Sequence, residues 1–355
     1  MKKKILISTG GSGGHVIPAK ILIDHLKYNF EVIISTDRRG EKYLKEVSNK
    51  KIKIYTPKLN NLYLFPLNLI KVLILTVKSF FILKNNQIDI LISTGGYMSL
   101  PLCMAAKILS IKIFLLEPNM VLGRANNFFL KFSEKIFCYN SSVKNFPTKF
   151  LNKLVLIDPL VRLIFYKKSN TNLKKDKFNF LVIGGSQGAN IFDFEIKESF
   201  CEISKIFPIK VTHQTSEQNT QKLRDFYLQH NIDCHVFSYD SNFFNLLNEI
   251  DFCVTRGGAS TLAELSLMNI PFLVVPLPTA KDDHQYENAL FYKKNNSCWI
   301  IDQKKFNRNE LSNFFFNLLK NDNEYLRKKT NLKKLNYQNS WNNVNQKILD
   351  TLNAN

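Results

Sequence analysis

Acidic residues are scarce in this chain of 355 residues: 29 Asp and Glu stand against 49 Lys and Arg, a formal net charge of +20. This excess suits an anionic partner, such as a nucleic acid, a phosphorylated substrate or an acidic membrane surface. A biased base composition would produce the same excess. Hydrophobic residues make up 45% of the chain, so it is globular, and its length allows two domains with separate cores.

Cysteine is sparse, and no two cysteines form a C-x-x-C pair. Most of the six lie in apolar runs, so we expect buried thiols in a reducing compartment. The chain opens with a basic residue cluster and an apolar run that stops at glycines, too early for a signal peptide. We therefore expect a cytoplasmic location. The six histidines are scattered, and no ligand cluster surrounds Asp282 and Asp283, so no metal site is expected.

Common nucleotide-binding signatures are also missing. Two glycine-rich loops, residues 10–15 and 184–189, follow short apolar strands at 5–9 and 180–183. Val16 occupies the third-glycine position of the dinucleotide fingerprint, and no Gly-Lys-Ser/Thr follows either loop. NAD enzymes and P-loop NTPases are therefore weak candidates. Backbone amides in both loops could still approach a diphosphate closely.

An internal repeat organises the chain. Residues 88–96 align in register with residues 250–258, and each copy predicts a strand, a double-glycine turn and a helix. Alternation of strands and helices is typical of a parallel sheet covered on both faces. We predict two doubly wound α/β domains joined near 158–175, with a ligand site in the cleft between them. Further strands are expected at 31–36, 112–116, 210–214, 235–238 and 271–276.

Two predicted helices have an apolar face whose packing partner the sequence leaves open. Trp341, Val344, Ile348 and Leu352 recur at helical spacing near the end of the chain, and this face could pack on either domain. Residues 62–83 form a long apolar stretch, but its asparagine, proline and lysines argue against a membrane-spanning helix. Its broad apolar face either packs in the core, which is the simpler interpretation, or inserts into an anionic membrane leaflet.

Four polar residues are candidates for chemistry. His15 ends the first glycine loop, where it could accept a proton from an attacking hydroxyl or simply bind backbone. Glu264 follows the second double-glycine turn, where a carboxylate can hold a ribose or stabilise the helix dipole. Gln285 and Asn288 share a helix face and could form hydrogen bonds with a sugar.

Taken together, these motifs resemble the MurG family of glycosyltransferases. The matching segments are residues 10–15, 95–97, 117–119, 184–188, 256–261 with Glu264, and 284–288. They extend over nearly the whole chain, and only their combination is specific. The resemblance implies the GT-B fold, an α/β architecture of two Rossmann-like doubly wound parallel-sheet domains facing across a cleft, with the C-terminal helix returning to the N-terminal domain. It implies an acceptor- and membrane-binding domain, 1–161 plus 338–355, and a UDP-N-acetylglucosamine-binding domain, 162–337.

The resemblance also implies roles for individual residues. His15 would be the catalytic base, Tyr97 and Asn126 would contact the acceptor, and no cofactor or metal would take part. Within the donor site, Ser186 and Gln187 would meet the diphosphate, Glu264 the ribose, and residues 239–243 the uracil. The full UDP-N-acetylglucosamine site would comprise Ser12, Gly13, Gly14, Asn119, Arg162, Ser186, Gln187, Gly188, Tyr239, Asp240, Phe243, Ala259, Ser260, Thr261, Glu264, His284, Gln285 and Asn288.

Three segments depart from the usual pattern of the family. Leu100 replaces the last glycine of Gly-Gly-Tyr-x-Ser-Gly-Pro, and Leu116 and Pro118 alter His-Glu-Gln-Asn. One extra residue precedes Arg162 in the hinge motif. These departures bear on acceptor docking and on the role of Arg162, whereas the donor motifs are intact.

The implied function is an inverting transfer of N-acetylglucosamine. The donor would be UDP-N-acetylglucosamine, and the acceptor would be the C4 hydroxyl of N-acetylmuramic acid in undecaprenyl-diphosphate-linked N-acetylmuramyl-pentapeptide. The enzyme would act peripherally at the cytoplasmic face of the inner membrane, against an anionic surface. Alternatives are a UDP-N-acetylglucosamine epimerase and another lipid-acceptor GT-B transferase. Net charge alone suggests nucleic acid, but no binding motif supports it, so no nucleic-acid partner is expected.

Overall fold

The computed structural model describes residues 2–57, 63–167, 176–184, 190–238 and 243–354. The chain divides into two compact units. Unit 1 consists of Met1–Leu163 and Ser340–Asn355, and unit 2 consists of Ile164–Asn339. The roles in donor, acceptor and membrane binding that the resemblance gives to the two parts of the chain stay predictions.

Unit 1 is built on a parallel sheet of seven strands in the order β3-β2-β1-β4-β5-β6-β7. The chain adds two strands on one side of β1 and then returns to place β4 on its other side, which makes the β1/β4 boundary a topological switch point. The strands are β1 (Lys4–Ser8), β2 (Glu31–Thr36), β3 (Lys51–Lys53), β4 (Ile90–Ser93), β5 (Lys112–Glu117), β6 (Lys135–Cys138) and β7 (Leu154–Leu156).

Helices connect these strands, and the two faces of the sheet contribute to separate cores. Ile5 and Ile7 pack in one core with residues of the first helix, whereas Leu6 between them packs in a second core on the other face. This alternation explains why the strands are apolar throughout, since both faces are covered. The helices are α1 (Gly13–Leu26), α2 (Arg38–Glu41), α3 (Phe65–Asn85), α4 (Leu100–Ile108) and α5 (Arg124–Phe129).

Helix α3 packs with its more polar side inward. Asn68, Thr76 and Ser79 are buried together with Val72 and Leu83, and the helix lies along α4. Most of its large apolar side chains are exposed, so the expectation that its apolar face packs in the core is corrected. By length and composition alone α3 could cross a membrane, with 28% of the apolar window buried. Its two ends, however, lead from β3 into β4 of one sheet, as an ordinary crossover helix does.

Unit 2 has a parallel sheet of six strands in the order β10-β9-β8-β11-β12-β13, so its switch point lies between β8 and β11. The strands are β8 (Phe178–Ile183), β9 (Ile209–Gln214), β10 (Asp233–Phe237), β11 (Phe252–Thr255), β12 (Phe272–Val274) and β13 (Cys298–Ile300). An aromatic core that includes Phe180, Phe200 and Phe315 lies against the sheet. The predicted fold class, two doubly wound α/β units, is confirmed.

The helices of unit 2 follow the same alternation. Helix α6 (Leu163–Tyr166) begins at the last residue of the first segment of unit 1, and the sheet helices are α7 (Asn190–Ser204), α8 (Thr220–Gln229), α9 (Phe243–Leu247), α10 (Ala259–Leu267) and α11 (His284–Lys294). Helices α12 (Arg308–Lys320) and α13 (Asp322–Leu335) follow the last strand. Five of the six cysteines are buried and Cys234 is half-buried, all with free thiols, as the apolar runs predicted.

The final helix, α14 (Trp341–Asn353), belongs to unit 1 although it follows unit 2 in the chain. Val344, Ile348 and Leu352 are buried in the core that contains α1. The Trp341 ring stacks on the ring of His25 with centroids 3.6 Å apart. Burial lowers the pKa of His25 to about 4, although the hydrogen bond to Asn345 opposes this shift. The predicted return of the last helix to the first domain is therefore confirmed.

Candidate functional site

His15 lies at the switch point of unit 1, in the first turn of α1. Its Nδ1 lies 2.8 Å from the carbonyl oxygen of Thr94, the residue that follows β4. A carbonyl oxygen can only accept a hydrogen bond, so Nδ1 carries the proton of the neutral ring and Nε2 keeps a lone pair. This bond fixes both the tautomer and the orientation of an imidazole that can accept a proton through Nε2.

The Gly95–Gly96 turn separates His15 from a second group of polar residues. Both glycines adopt positive φ, 84° and 82°, which a side chain would strain. A Cβ on Gly96 would lie 2.8 Å from Cε of Met98 and 3.5 Å from Nε2 of His15. A Cβ on Gly95 would lie 3.2 Å from Nδ2 of Asn126. His15 and Asn126, two predicted site residues, therefore both lie close to this turn.

The carboxylate of Glu117 organises the loop that carries Asn119 and Asn126. One oxygen accepts from the backbone and side-chain nitrogens of Asn119 at 3.2 and 3.0 Å. The other accepts from the Gly123 amide at 2.8 Å and from Nδ2 of Asn126 at 3.0 Å. Glu117 is buried, so these four bonds are what make a carboxylate tolerable there. Sequence reasoning assigned no role to Glu117, although the Glu-Pro-Asn motif pointed to it.

Asp37 braces the first glycine loop from the end of β2. Its Oδ1 accepts from the amides of Gly11 and Gly40, both at 2.8 Å, and the side chain is buried. Ser12 precedes α1 as its N-cap residue but makes no side-chain capping bond. Gly13 and Gly14 form the start of the helix, and Tyr97 is half-buried beyond the double glycine. The first-domain residues assigned to the site, Arg162 aside, therefore cluster at the carboxyl edge of β1, β4 and β5.

In unit 2, the start of α10 lies beside the switch point. Ala259, Ser260 and Thr261 form its first turn and are half-buried, and Gly258 at the N-cap has no side chain to occupy their amides. Free amides at a helix N-terminus attract anions, so this turn can bind a phosphate group. Glu264 lies in the next turn, is buried and has polar contacts of its own.

Gln285 and Asn288 of α11 contact this same turn. Oε1 of Gln285 accepts from the amides of Gly257 at 3.3 Å and Leu277 at 3.0 Å. Nδ2 of Asn288 donates to the carbonyl of Gly257 at 2.9 Å. Both side chains therefore position the double-glycine turn, a role that sequence reasoning missed. Their predicted contacts with the sugar stay predictions.

Arg256 also has a structural role that its place in the motif did not reveal. Its Nη1 donates to the carbonyl of Val275 at 2.9 Å, and its guanidinium lies 4.9 Å from the ring centroid of Phe192. Burial lowers the pKa of this guanidinium. The side chain thus links the ends of β11 and β12. No simple pattern in the sequence distinguishes this use from ligand binding.

Of the remaining residues predicted for the site, some lie within the described ranges and the others lie outside them. His284 is half-buried with Nδ1 2.7 Å from the carbonyl of Lys281. Arg162 is half-buried near the end of the first segment of unit 1. Within the described ranges, no three His, Cys, Asp or Glu side chains are grouped to hold a metal ion. Predicted residues that lie outside the described part of the chain are Ser186, Gln187, Gly188, Tyr239, Asp240 and the side chain of Phe243.

Two Rossmann-like units with doubly wound parallel sheets are the architecture of the GT-B fold. Sequence profiles of glycosyltransferase family 28 match the chain twice, the N-terminal domain at residues 5–138 and the C-terminal domain at residues 179–343. The crystal structure of Acinetobacter baumannii MurG has the same fold, with a TM-score of 0.79 at 21% identity over the full length of both chains.

Two relatives are similar in sequence as well. A Pelagibacter ubique protein named UDP-N-acetylglucosamine--N-acetylmuramyl-(pentapeptide) pyrophosphoryl-undecaprenol N-acetylglucosamine transferase is 49% identical over 100% of both chains. A Rickettsia felis protein of the same name is 31% identical over 90% of this chain and 91% of its own. The chain therefore belongs to glycosyltransferase family 28 and, within it, to the MurG family.

Proposed function

We propose that the protein transfers N-acetylglucosamine from UDP-N-acetylglucosamine to the C4 hydroxyl of N-acetylmuramic acid in undecaprenyl-diphosphate-linked N-acetylmuramyl-pentapeptide. The observation that carries this proposal is the 49% identity, over all of both chains, to a relative named for that reaction. The orientation of His15 also supports it, because Nε2 keeps the lone pair that can take the proton of an attacking hydroxyl. A fold alone would not support it, because one fold hosts many functions.

The transfer is a single displacement. The acceptor oxygen attacks the anomeric carbon as the bond to the UDP oxygen breaks, which inverts the configuration. Nε2 of His15 takes the hydroxyl proton, and the Nδ1–H bond to Thr94 keeps the ring in place while it becomes positively charged. Negative charge develops on the departing diphosphate, and the amides of Ala259, Ser260 and Thr261 are suited to stabilise it.

Most donor contacts come from unit 2 in this proposal. Glu264 binds the ribose, Ser186 to Gly188 bind the diphosphate, and residues 239–243 bind the uracil. In unit 1, Asn119 completes the donor site, and Asn126, held by the same Glu117 carboxylate, faces the acceptor. Oδ1 of Asn126 supports this role, because it is buried and has no hydrogen-bond partner within the described residues. An acceptor atom of this kind would gain from a ligand hydroxyl or amide.

The exposed face of α3 supports peripheral attachment to the cytoplasmic side of the inner membrane. Ile70, Ile74, Val77 and Phe81 are each more than half exposed on this helix. A contiguous apolar surface of this kind is unusual in a soluble protein and favours contact with lipid. The lysines beside it and the net charge of +20 suit an anionic leaflet.

The test is transfer of radiolabel from UDP-N-acetylglucosamine to a short-chain analogue of the lipid acceptor, with EDTA present. Labelled lipid product would support donor, acceptor and metal independence together. Release of UDP with free N-acetylmannosamine instead would favour the epimerase alternative. Labelling of other lipids but not of this acceptor would favour a different GT-B transferase.

A further inference from the structure

A buried polar network joins the first turn of α7 to the end of β9 in unit 2. Asp193 of α7 is buried, and its Oδ2 accepts from Oγ1 of Thr215 at 2.6 Å and from Nδ2 of Asn219 at 3.0 Å. Its Oδ1 lies 3.4 Å from Nε2 of His213, a fully buried residue of β9. None of these four residues has a role in the proposed function.

One arrangement of protons satisfies the network. Nδ1 of His213 lies 2.8 Å from the hydroxyl oxygen of Tyr227, which is also fully buried. Since the Asp193 carboxylate can only accept, the ring proton lies on Nε2, and Nδ1 accepts from the Tyr227 hydroxyl. Burial raises the pKa of Tyr227 and lowers the pKa of His213, so the phenol stays protonated and the imidazole neutral. Burial also opposes ionisation of Asp193, but its contacts with His213, Thr215 and Asn219 lower its pKa, so it is a carboxylate at neutral pH.

The network lies at the edge of the sheet where the second glycine loop begins. His213 is paired in register with Val182 of β8. Strand β8 ends one residue later, and the glycine loop, residues 184–189, connects it to α7. Asp193 therefore belongs to the first helical turn after that loop. In doubly wound sheets this turn and the loop before it are where a diphosphate binds.

The carboxylate of Asp193 is turned away from the amides of its own helix. An acidic side chain in a first turn is attracted by the free amides there. Asp193 instead accepts from Thr215 and Asn219, and within the described residues it accepts from no amide of α7. The positive end of α7 is thus left to another anion.

The first turn of α7 is held from its other side as well. Phe192, the residue before Asp193, lies under the guanidinium of Arg256 at 4.9 Å from its ring centroid. Arg256 is itself fixed by its bond to the carbonyl of Val275. Strand β8 lies between β9 and β11 in the sheet, so the turn is anchored toward both neighbours of the strand that precedes it.

We propose that Asp193 is a positioning residue for the nucleotide sugar. By holding the first turn of α7 against β9, it fixes the helix amides that receive the diphosphate. This role rests on the donor half of the proposed function, the binding of UDP-N-acetylglucosamine. Loss of the anchor lets the turn shift, which weakens donor binding, whereas proton transfer through His15 in unit 1 is untouched. KM for the donor should therefore change and kcat should not.

Two substitutions of Asp193 separate position from charge. Asp193→Ala leaves the donors of Thr215 and Asn219 buried without their partner. Asp193→Asn keeps the network, because its side-chain oxygen accepts from both and its Nδ2 donates to Nε2 of His213. The His213 ring then takes the other tautomer and donates from Nδ1 to the Tyr227 hydroxyl.

The matched control is Asn179→Ala. Nδ2 of Asn179 donates to the carbonyl of Glu249 at 2.8 Å, and this buried bond lies at the start of β8, at the opposite edge of the same sheet. The control therefore costs unit 2 a buried hydrogen bond without touching α7.

UDP affinity is measured by titration calorimetry, and KM and kcat for UDP-N-acetylglucosamine are measured with the short-chain lipid acceptor. Both use the full chain at a temperature where circular dichroism shows every variant folded. Asp193→Ala should raise the donor KM and the Kd for UDP about tenfold and leave kcat within about twofold. Asp193→Asn and Asn179→Ala should stay close to the wild type.

Three results would overturn the proposal: wild-type UDP affinity in folded Asp193→Ala, equal weakening by Asn179→Ala, or no rescue by Asp193→Asn. If Asp193→Ala does not fold, Thr215→Val removes the 2.6 Å bond at constant size and should raise both constants about threefold. Unchanged constants in folded Thr215→Val would also overturn it. If the wild type binds UDP but transfers no sugar, the proposed function fails, and the UDP affinities still decide the role of Asp193.

Discussion

Two double-glycine turns occupy equivalent positions in the two units, yet they need glycine for different reasons. Gly95 and Gly96 follow β4 and both have positive φ, so their backbone conformation excludes most side chains. Gly258 follows β11 with an ordinary φ of −73°. Gly257 is required by space, because a Cβ there would overlap the carbonyl oxygen of Gln285. The same repeated motif therefore requires glycine for its backbone conformation in unit 1 and for steric space in unit 2.

The difference extends to the chemistry beside each turn. In unit 1 the turn adjoins an imidazole whose tautomer is fixed by Thr94. In unit 2 the turn leads into the first amides of α10, which the N-cap residue Gly258 does not cap with a side chain, and is held by the neutral side chains of Gln285 and Asn288. The first arrangement suits proton transfer, and the second suits stabilisation of negative charge. Three tests by substitution and one by pH compare the two units.

The largest effect is expected from His15→Ala. Removing a general base lowers kcat by about 10²–10⁴-fold. UDP affinity, measured by titration calorimetry, should stay unchanged, because the proposed UDP contacts of unit 2 are intact. His230→Ala, which removes an exposed histidine of unit 2, is the matched control and should leave kcat alone. A His15→Ala enzyme with normal turnover would show that the imidazole is only structural.

Acid pH provides the second test, because it acts on unit 1 through His25. Its pKa is about 4 in the folded protein and 6.5 when unperturbed, so the unfolded chain binds the proton more readily. Stability is therefore complete above about pH 6.5 and falls by roughly 3 kcal/mol as the pH drops toward 4. Urea unfolding is followed by Trp341 fluorescence in a Trp299→Phe background.

His25→Phe keeps a ring against Trp341 and should abolish this loss of stability between pH 6.5 and 4. The reciprocal background, Trp341→Phe, reports unit 2 through Trp299, and there His25→Phe should change nothing between those pH values. Equal acid sensitivity of unit 1 with and without His25 would assign the effect to other groups.

The comparison of Gly257→Ala with Gly258→Ala tests steric space in unit 2, because neither glycine has a positive φ. In Gly257→Ala the added methyl group overlaps backbone atoms of Gln285 in α11, so the free energy of unfolding should fall by about 1–3 kcal/mol. UDP binding should weaken as well, because the start of α10 shifts. The second meets no atom closer than 3.8 Å and should cost less than about 1 kcal/mol. Urea unfolding and UDP titration measure both. Equal costs would mean that the close approach of Gln285 is easily relieved.

The last test substitution is Gly96→Ala. The conformation of Gly96, with φ 82° and ψ 160°, costs about 1–3 kcal/mol for a residue with a side chain. The added methyl also crowds Met98 and adjoins Nε2 of His15, so kcat should fall while UDP affinity holds. Gly257→Ala should instead weaken UDP binding and leave kcat unchanged. If Gly96→Ala weakens UDP binding instead, the division of labour between the two turns is wrong.

Much of this architecture is predictable from the sequence, because buried parallel strands are apolar on both faces and the repeat marks the same unit twice. The strands β3, β6, β7 and β13 were not predicted, because each has only three or four residues and gives too short a periodic signal. Strand β12 is as short, but it lies within a longer apolar run. Periodicity located the apolar stripe of α3 correctly. It could not show that the opposite, more polar side faces the protein, since that depends on α4.

The site was predictable in its residue types more than in its contacts. The glycine loop marked His15, but the bond to Thr94 joins residues 79 positions apart. Gln285 and Asn288 looked available for a sugar because nothing local occupies them. Their partner Gly257 is 28 and 31 positions away, and only the fold brings the two segments together.

The location of α14 has a consequence for how the protein is made. The core of unit 1 is completed by Val344, Ile348 and Leu352, which leave the ribosome only after all of unit 2. At about 5–20 residues per second, synthesis of unit 2 takes roughly 10–35 s. During that interval the nascent first half exposes the apolar surface that α14 later covers, so chaperones have a defined time and place to bind it.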